Sequence, residues 1–212
     1  MKSILFLIII LLSGCSVKRN VFHDPHFFYD KENYTIIRVN PETREKDIKA
    51  YYNRKFKSKS KKTIPPPSPP DTSKGIKAYY TPPKPKRIVK PVYPSEVKSI
   101  GYQGTVILQF LIDSTGVVKK AIALTFLTHE NYYIISQNKT KYQKLIKQAR
   151  ETKREFNEIE ELLVKSSLAA AIKTEFVPAF QKGKPVPVWV SFPVSFILDY
   201  KKDKHFPARL VP

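Results

Sequence analysis

The residues of this chain that could take part in catalysis or metal binding are few and scattered. The four histidines are His23, His26, His129 and His205, and the first two are separated only by Asp24 and Pro25. A metal site usually takes three or four ligands, and no third ligand follows this pair closely. The sequence also lacks a Gly-rich phosphate loop, a Gly-x-Ser-x-Gly motif and a Cys-x-x-Cys pair. We therefore expect a surface histidine pair with no metal, no cofactor and no enzymatic activity.

Asp113, the remaining candidate acid, opens the segment Asp113-Ser-Thr-Gly116 between two apolar runs. The residues that we expect to share one face are Val106, Leu108, Phe110 and Ile112 before this segment, and Val118, Ile122, Leu124 and Phe126 after it. Alternation of this kind around a Gly-containing turn predicts a β-hairpin. An aspartate at the start of such a turn bonds its own backbone, so we predict a structural role for Asp113.

Near the C-terminus, the sequence predicts the end of a helix, a turn at Gly183-Lys-Pro185 and a long strand. The apolar face of this strand comprises Val188, Val190, Phe192, Val194, Phe196 and Leu198. Trp189, Ser191 and Ser195 alternate onto the opposite face. Proline cannot donate a ladder hydrogen bond, so Pro193 predicts an edge strand or a bulge.

These segments together resemble the C-terminal domain of TonB, the periplasmic energy transducer of Gram-negative envelopes. The motifs that carry the resemblance are Tyr93-Pro94, Gly101-Tyr-Gln-Gly104, Asp113-Ser-Thr-Gly116, Phe176-Val-Pro178 and Gly183-Lys-Pro185. The resemblance implies an α+β domain over residues 93–200, with a small antiparallel three-stranded sheet packed with a helix. It further implies that an outer-membrane transporter docks as an added strand on the last strand. The implied partner-binding residues are Val188, Trp189, Val190, Ser191, Phe192 and Ser195.

The N-terminus carries a short apolar run, Ile4 to Leu12, that ends at Leu12-Ser-Gly-Cys15. Nine helical residues span only ~14 Å, too little for a hydrocarbon core of about 30 Å, so residues 1–14 are predicted to be a signal peptide. The small residues before the chain's single cysteine resemble the lipobox of bacterial lipoproteins, which implies lipidation of Cys15. An ordinary secretory peptide is the alternative. Ser16 after the cysteine resembles the sorting pattern that favours the outer membrane over the inner membrane.

The chain is strongly basic, with 38 Lys and Arg against 18 Asp and Glu, a net charge of +20. In a cytosolic protein such a charge would indicate nucleic-acid binding. In a secreted lipoprotein we expect no nucleic-acid partner. The basic residues there either bind anionic envelope surfaces or only keep the protein soluble. Residues 15–62 form a basic segment of unknown fold, in which 34–39 could be a short strand and 47–56 a helical turn or two.

Residues 63–92 are predicted to be a Pro-rich linker, since ten of the 18 prolines lie between positions 65 and 94. Disorder is predicted over residues 57–90. Extended polyproline geometry would let thirty such residues reach roughly 90 Å. The linker would thus hold the folded domain away from its lipid anchor. Residues 201–212 are predicted to be a C-terminal tail.

An insertion at about 127–160 separates the predicted hairpin from the predicted final helix. Its apolar residues Leu145, Ala149, Thr152, Phe156, Ile159 and Leu163 follow helical spacing. One helix over 137–176 would project and offer a surface for self-association or for a partner. Alternatively, it breaks near Glu158 to Glu161, or the insertion folds back onto the domain.

Three functions are compatible with this sequence. The first is a TonB-like lipoprotein, facing the periplasm, that binds envelope proteins by strand addition. The second is a genuine TonB energy transducer. In that family, however, energy arrives through an N-terminal transmembrane helix that bears a histidine, and the run Ile4–Leu12 offers neither feature. The third is a structural lipoprotein that bridges the membrane and peptidoglycan.

Overall fold

The computed structural model describes residues 21–58, 80–152 and 155–198, which form an α+β fold. Its centre is a five-stranded antiparallel sheet. In spatial order the strands are β1 (Phe27–Asp30), β2 (Thr35–Arg38), β6 (Val118–Leu127), β5 (Gly104–Ile112) and β10 (Val188–Phe196). The α+β class is thus confirmed, and the sheet has two strands more than the resemblance implied.

The two additional strands come from the N-terminal segment, which is a part of the folded body. Strand β2, at the predicted position, pairs with β6, and Ile36 is fully buried in the main core. The predicted helical turns belong to helix α1 (Arg44–Ser58). The hydroxyl of Tyr51 on this helix donates to Asp30 Oδ2 at 2.8 Å, which holds α1 against strand β1. Residues 21–58, which lie in the segment whose fold the sequence left open, are therefore part of the folded body.

Strands β5 and β6 form the predicted hairpin, but their register shifts twice, after Ile107 and after Leu111. Val106, Leu108, Phe110 and Ile112 share one buried face, as predicted. Each shift adds a residue to β6 and reverses its alternation. As a result Val118 and Phe126 lie in the main core, whereas Ile122 and Leu124 lie on the other face of the sheet. The prediction of one face for all four β6 residues was wrong.

The insertion folds as separate helices, so the prediction of one projecting helix over 137–176 was wrong. Its helices are α3 (His129–Ser136) and α4 (Lys139–Glu151), and α5 (Glu158–Ala171) follows. Asn138 and Asn157 cap the N-termini of α4 and α5, and Asn157 forms a capping box with Glu160. These caps start new helices, because an asparagine side chain there satisfies backbone donors that a continuous helix would pair internally.

The sheet is covered on both faces. Helix α5 packs on the main core face, where Leu163 and Leu168 are fully buried, next to the short helix α2 (Ser95–Ser99). Helices α3 and α4 cover the opposite face, where Ile146 of α4 packs on Ile107 of β5. Helix α1 adds to this layer at β1, where the rings of Tyr51 and Tyr52 meet Phe28. The apolar residues of the predicted stripe are thus buried or partly buried within the chain, and they do not form the self-association surface that the projecting helix would have offered; they are Leu145, Ala149, Phe156, Ile159 and Leu163.

The end of the predicted Pro-rich linker is also folded. Strands β3 (Tyr80–Thr81) and β4 (Lys84–Arg87) pair with β8 (Ala179–Gln181) and β7 (Glu175–Val177) respectively, and β9 (Lys184–Val186) pairs with β8. Residues 80–87 thus form strands, in contrast to the predicted disorder. Cys15, residues 63–79 and the tail lie outside the described residues. Within the described residues no helix is long and apolar enough to cross a membrane.

Candidate partner-binding edge

Strand β10 lies at one border of the central sheet. It pairs with β5 from Val188, opposite Ile112, to Phe196, opposite Gly104, without a register shift, and Pro193 lies within this ladder. On its outer side no strand pairs with it anywhere in residues 21–58, 80–152 and 155–198. The strand predicted from the position of Pro193 is thus an edge strand in this part of the chain.

The apolar face of β10 packs on the main core. Val188 and Phe196 are buried, and Val190, Phe192 and Val194 are partly buried against the same core. The ring of Phe192 stacks on Phe110 with centroids 5.6 Å apart. These contacts fix the strand through its apolar face, so the predicted residues Val188, Val190 and Phe192 chiefly hold the edge in place.

The predicted residues Trp189, Ser191 and Ser195 lie on the opposite face of β10. Ser195 Oγ and Thr105 Oγ1 of the neighbouring strand are 2.9 Å apart and hydrogen-bonded. The ammonium of Lys120 lies 6.0 Å from the Trp189 ring centroid, at the outer limit of a cation–π contact. Ser191 is partly exposed and pairs with Gln109. The structure thus brings the three residues into one row along the edge strand.

A small cavity of about 190 Å³ opens beside the edge strand on the main core face. It lies between β10, the C-terminal end of α5 and the segment that leads into α2. Its lining residues are Ile88, Val89, Lys90, Pro91, Phe110, Ser167, Ala170, Ala171, Thr174, Phe192, Pro193, Val194 and Ser195. Thr174 Oγ1 accepts from Val89 N at 3.2 Å and so holds the outer wall. The sequence analysis missed this wall, because residues 88–91 were assigned to the Pro-rich linker.

The end of β10 is positioned by Gln103, to which the sequence analysis gave no role. Its Oε1 accepts from Leu198 N at 2.9 Å. Gly104, next in the chain, lets the strands approach closely, since a Cβ there would lie 2.1 Å from Phe126 Cζ. The sequence signal that could have indicated this role is the position of Gln103 directly before Gly104, a glycine that the close strand packing requires.

Asp113 has the structural role predicted for it. Its Oδ1 accepts from Thr115 N at 2.9 Å, Thr115 Oγ1 at 2.6 Å and Val117 N at 3.0 Å. Burial acts to raise the pKa of Asp113, but these hydrogen bonds and nearby Lys119 outweigh it and lower the pKa. The carboxylate therefore stays charged and holds the turn between β5 and β6.

The histidine pair precedes strand β1, far along the sheet from β10. His23 and His26 are exposed, and His26 N donates to Asp24 Oδ1 at 2.9 Å. No group of three or more His, Cys, Asp or Glu side chains among the described residues is placed to hold a metal ion.

Residues 89–127 match the family model described as Gram-negative bacterial TonB protein C-terminal. The matched region runs from the wall of the cavity through α2 and the β5–β6 hairpin. The matched residues belong to the TonB C-terminal family. No match to a curated protein was found. The TonB C-terminal domain is a non-enzymatic interaction domain of the bacterial envelope, and the match indicates a TonB-like envelope protein related to TonB-dependent transport.

In this TonB C-terminal domain the strands N-terminal to the matched region complete the sheet on the side away from β10. Strand β2 occupies the edge of β6 that the three-stranded arrangement would have left open. The hydroxyl of Tyr34 donates to Glu161 Oε1 at 3.0 Å, and the Tyr34 ring meets Phe156 edge-on, 4.6 Å between centroids. Arg38 Nη2 donates to the carbonyl of Ile172 at 2.8 Å. These contacts tie the N-terminal strands to the α5 side of the domain.

Proposed function

We propose that this protein is a TonB-like lipoprotein, anchored through an acylated Cys15, that binds an extended segment of a partner envelope protein as a strand added to β10. The outer side of β10, which no strand of the described residues occupies, carries this proposal, because an unpaired strand edge offers a row of backbone donors and acceptors to an incoming strand. The partners that fit are envelope proteins with an exposed extended segment, outer-membrane transporters first among them.

The direction of the backbone N–H groups of β10 supports strand addition. Proline is tolerated inside a sheet where its nitrogen faces away from the neighbouring strand. Alternate residues of an antiparallel strand direct their backbone groups to the same side. Trp189, Ser191 and Ser195 share the alternation of Pro193, so their N–H groups point outward, towards an added strand. Pro193 removes one donor from the middle of this row and leaves the others.

Side chains beside the edge give the added strand its selectivity. Successive residues of a strand point to opposite faces, so one set would approach the cavity beside Phe192 and the other set would approach Trp189. Phe192 belongs to a packed core and offers a fixed apolar wall. Trp189 supplies an aromatic contact of the kind that contributes strongly at interfaces. The hydroxyl of Ser195 is hydrogen-bonded to Thr105, so Ser195 would contact the added strand through its backbone only.

Replacement of Ser191 by proline tests the docking edge. The change deletes an outward donor but keeps the apolar face of β10, so we expect the protein to fold with an unchanged circular dichroism spectrum and to lose its partner. The measurement is recovery of the partner by the native protein from solubilised envelopes, and Ser195→Pro should act alike. Ser191→Ala is the control, since it keeps the backbone donor. If Ser191→Pro recovers the same partner as wild type, the docking surface is elsewhere.

The lipid anchor is tested by the intact mass of the membrane-extracted protein. Loss of residues 1–14 together with added acyl chains on Cys15 is the expected result. A protein that retains Met1 would reject the lipoprotein and favour the transducer. The Ser that follows Cys15 leads us to expect the anchor in the outer membrane, with the domain facing the periplasm.

A further inference from the structure

The two helical layers of this domain carry opposite charge. Helix α4 has five cationic residues (Lys139, Lys141, Lys144, Lys147 and Arg150) and one acid, Glu151. Helix α5, on the other face of the sheet, has three glutamates and one lysine (Glu158, Glu160, Glu161 and Lys165). The layer made of α1, α3 and α4, here called the basic layer, is therefore the side of the domain suited to an anionic surface.

The cations of the basic layer point outward. Lys141, Lys144 and Lys147 are exposed, because Ile146 turns the opposite side of α4 to the sheet. Lys46 on α1 is likewise exposed, whereas Tyr51 turns inward to Asp30. Exposed lysines thus extend over two helices that cover one face of the sheet.

Two large apolar side chains are exposed on α3, the helix that contacts α4. Tyr133 and Ile134 of α3 are 63% and 58% exposed, although their neighbour Tyr132 packs against Ile107 and Leu124. Exposed aromatic and aliphatic residues next to lysines are typical of helices that lie in a membrane interface, where the apolar groups enter the bilayer and the lysines meet headgroups. Neither side chain contributes to the core of the domain.

The path of the chain keeps the domain close to its anchor. Val21 is buried in the main core, next to strand β1. Only six peptide steps separate Val21 from Cys15, a reach of about 20 Å when fully extended. The Pro-rich segment follows α1 in the sequence and therefore lies between two parts of the folded body, so it cannot hold the whole body away from the anchor as the linker prediction required.

We propose that the basic layer is a membrane-binding surface, which lies on anionic phospholipid headgroups with Tyr133 and Ile134 inserted into the interface. This inference rests on the lipid anchor of the proposed function. The short tether and the basic layer act together. The tether keeps the layer within reach of the headgroups, and the lysines favour an anionic surface. Strand β10 runs along a border of the sheet, so its outer backbone stays open beside the membrane.

The test uses the acylated full-length protein in vesicles of phosphatidylcholine alone or with phosphatidylglycerol. Acylation consumes the thiol of the single native cysteine, so one introduced cysteine carries an environment-sensitive fluorophore. Ile134→Cys reports on the basic layer, and Ile197→Cys, at a residue that is 55% exposed beyond β10, is the matched control. We expect a blue shift and quenching by brominated lipid at position 134 only, and only in vesicles with phosphatidylglycerol.

Charge reversal completes the test. Lys141→Glu, Lys144→Glu and Lys147→Glu together should abolish the blue shift at position 134. The same triple change at Lys84, Lys86 and Lys90, which are exposed outside the basic layer, should preserve it. Equal quenching at positions 134 and 197, or a blue shift that survives reversal in α4, would overturn the inference while the lipid anchor stands. A mass without acyl chains on Cys15 would overturn the anchor and this inference together.

Discussion

Replacement of Ile36 by alanine measures how far the N-terminal strands belong to the fold. Ile36 is fully buried, is paired with Ala121 of β6 and belongs to the same core as α5. Truncation of a buried isoleucine to alanine removes its transfer free energy and leaves a cavity, which together cost about 2–5 kcal/mol. We expect the free energy of unfolding to fall by about 3 kcal/mol, because the paired backbone on β6 limits how far the site can collapse.

The assay is equilibrium unfolding in urea, followed by tryptophan fluorescence and by circular dichroism. Trp189 is the only tryptophan of the chain and lies on β10, at the border of the sheet opposite to β1. Its fluorescence therefore reports a mutation in β2 only if the whole sheet unfolds as one unit. Ile37→Ala on the same strand is the matched control, since Ile37 is only partly buried and its truncation should cost about 1 kcal/mol or less.

Two results would refute the reasoning. The first is a loss below about 0.5 kcal/mol for Ile36→Ala, within the range of ordinary surface substitutions. The second is a circular dichroism transition that moves while the fluorescence transition stays in place. Either result would mean that residues 21–58 unfold separately from β5, β6 and β10.

Three further predictions concern the turns. Gly116→Ala should destabilise the protein by about 2–3 kcal/mol in urea unfolding, because Gly116 has φ +87° and an added Cβ would lie 1.9 Å from the carbonyl oxygen of Phe176. Gly183→Ala should cost only about 1 kcal/mol, since Gly183 has φ +74° but open space around it, and equal losses would contradict this account. The lowered pKa of Asp113 means that its charged form stabilises the fold above the ordinary carboxyl pKa and that this contribution is lost as pH falls through the folded value. Asp113→Asn should therefore lessen the decline in the free energy of unfolding between about pH 5 and pH 2, and an unchanged decline would exclude the carboxylate as its source.

What the sequence by itself determined is local. The alternation of Val106 to Ile112 predicted strand β5. The type and position of Asp113 predicted that its side chain would accept a hydrogen bond from the backbone of the turn. Pro193 predicted the border position of β10, because a missing N–H is tolerated only where no neighbouring strand needs it. Each of these features depends on a few adjacent residues and on backbone chemistry that any fold must satisfy.

What only the tertiary structure decided depends on contacts between distant segments. Two register shifts moved Ile122 and Leu124 to the second face, and period-two reading cannot detect a shift that the partner strand imposes. Strand β2 joined the sheet through long-range contacts such as that of Tyr34 with Phe156. The four residues of β2 cannot reveal this pairing in their own pattern, since its free energy comes from burying surface against segments more than eighty residues away in the sequence.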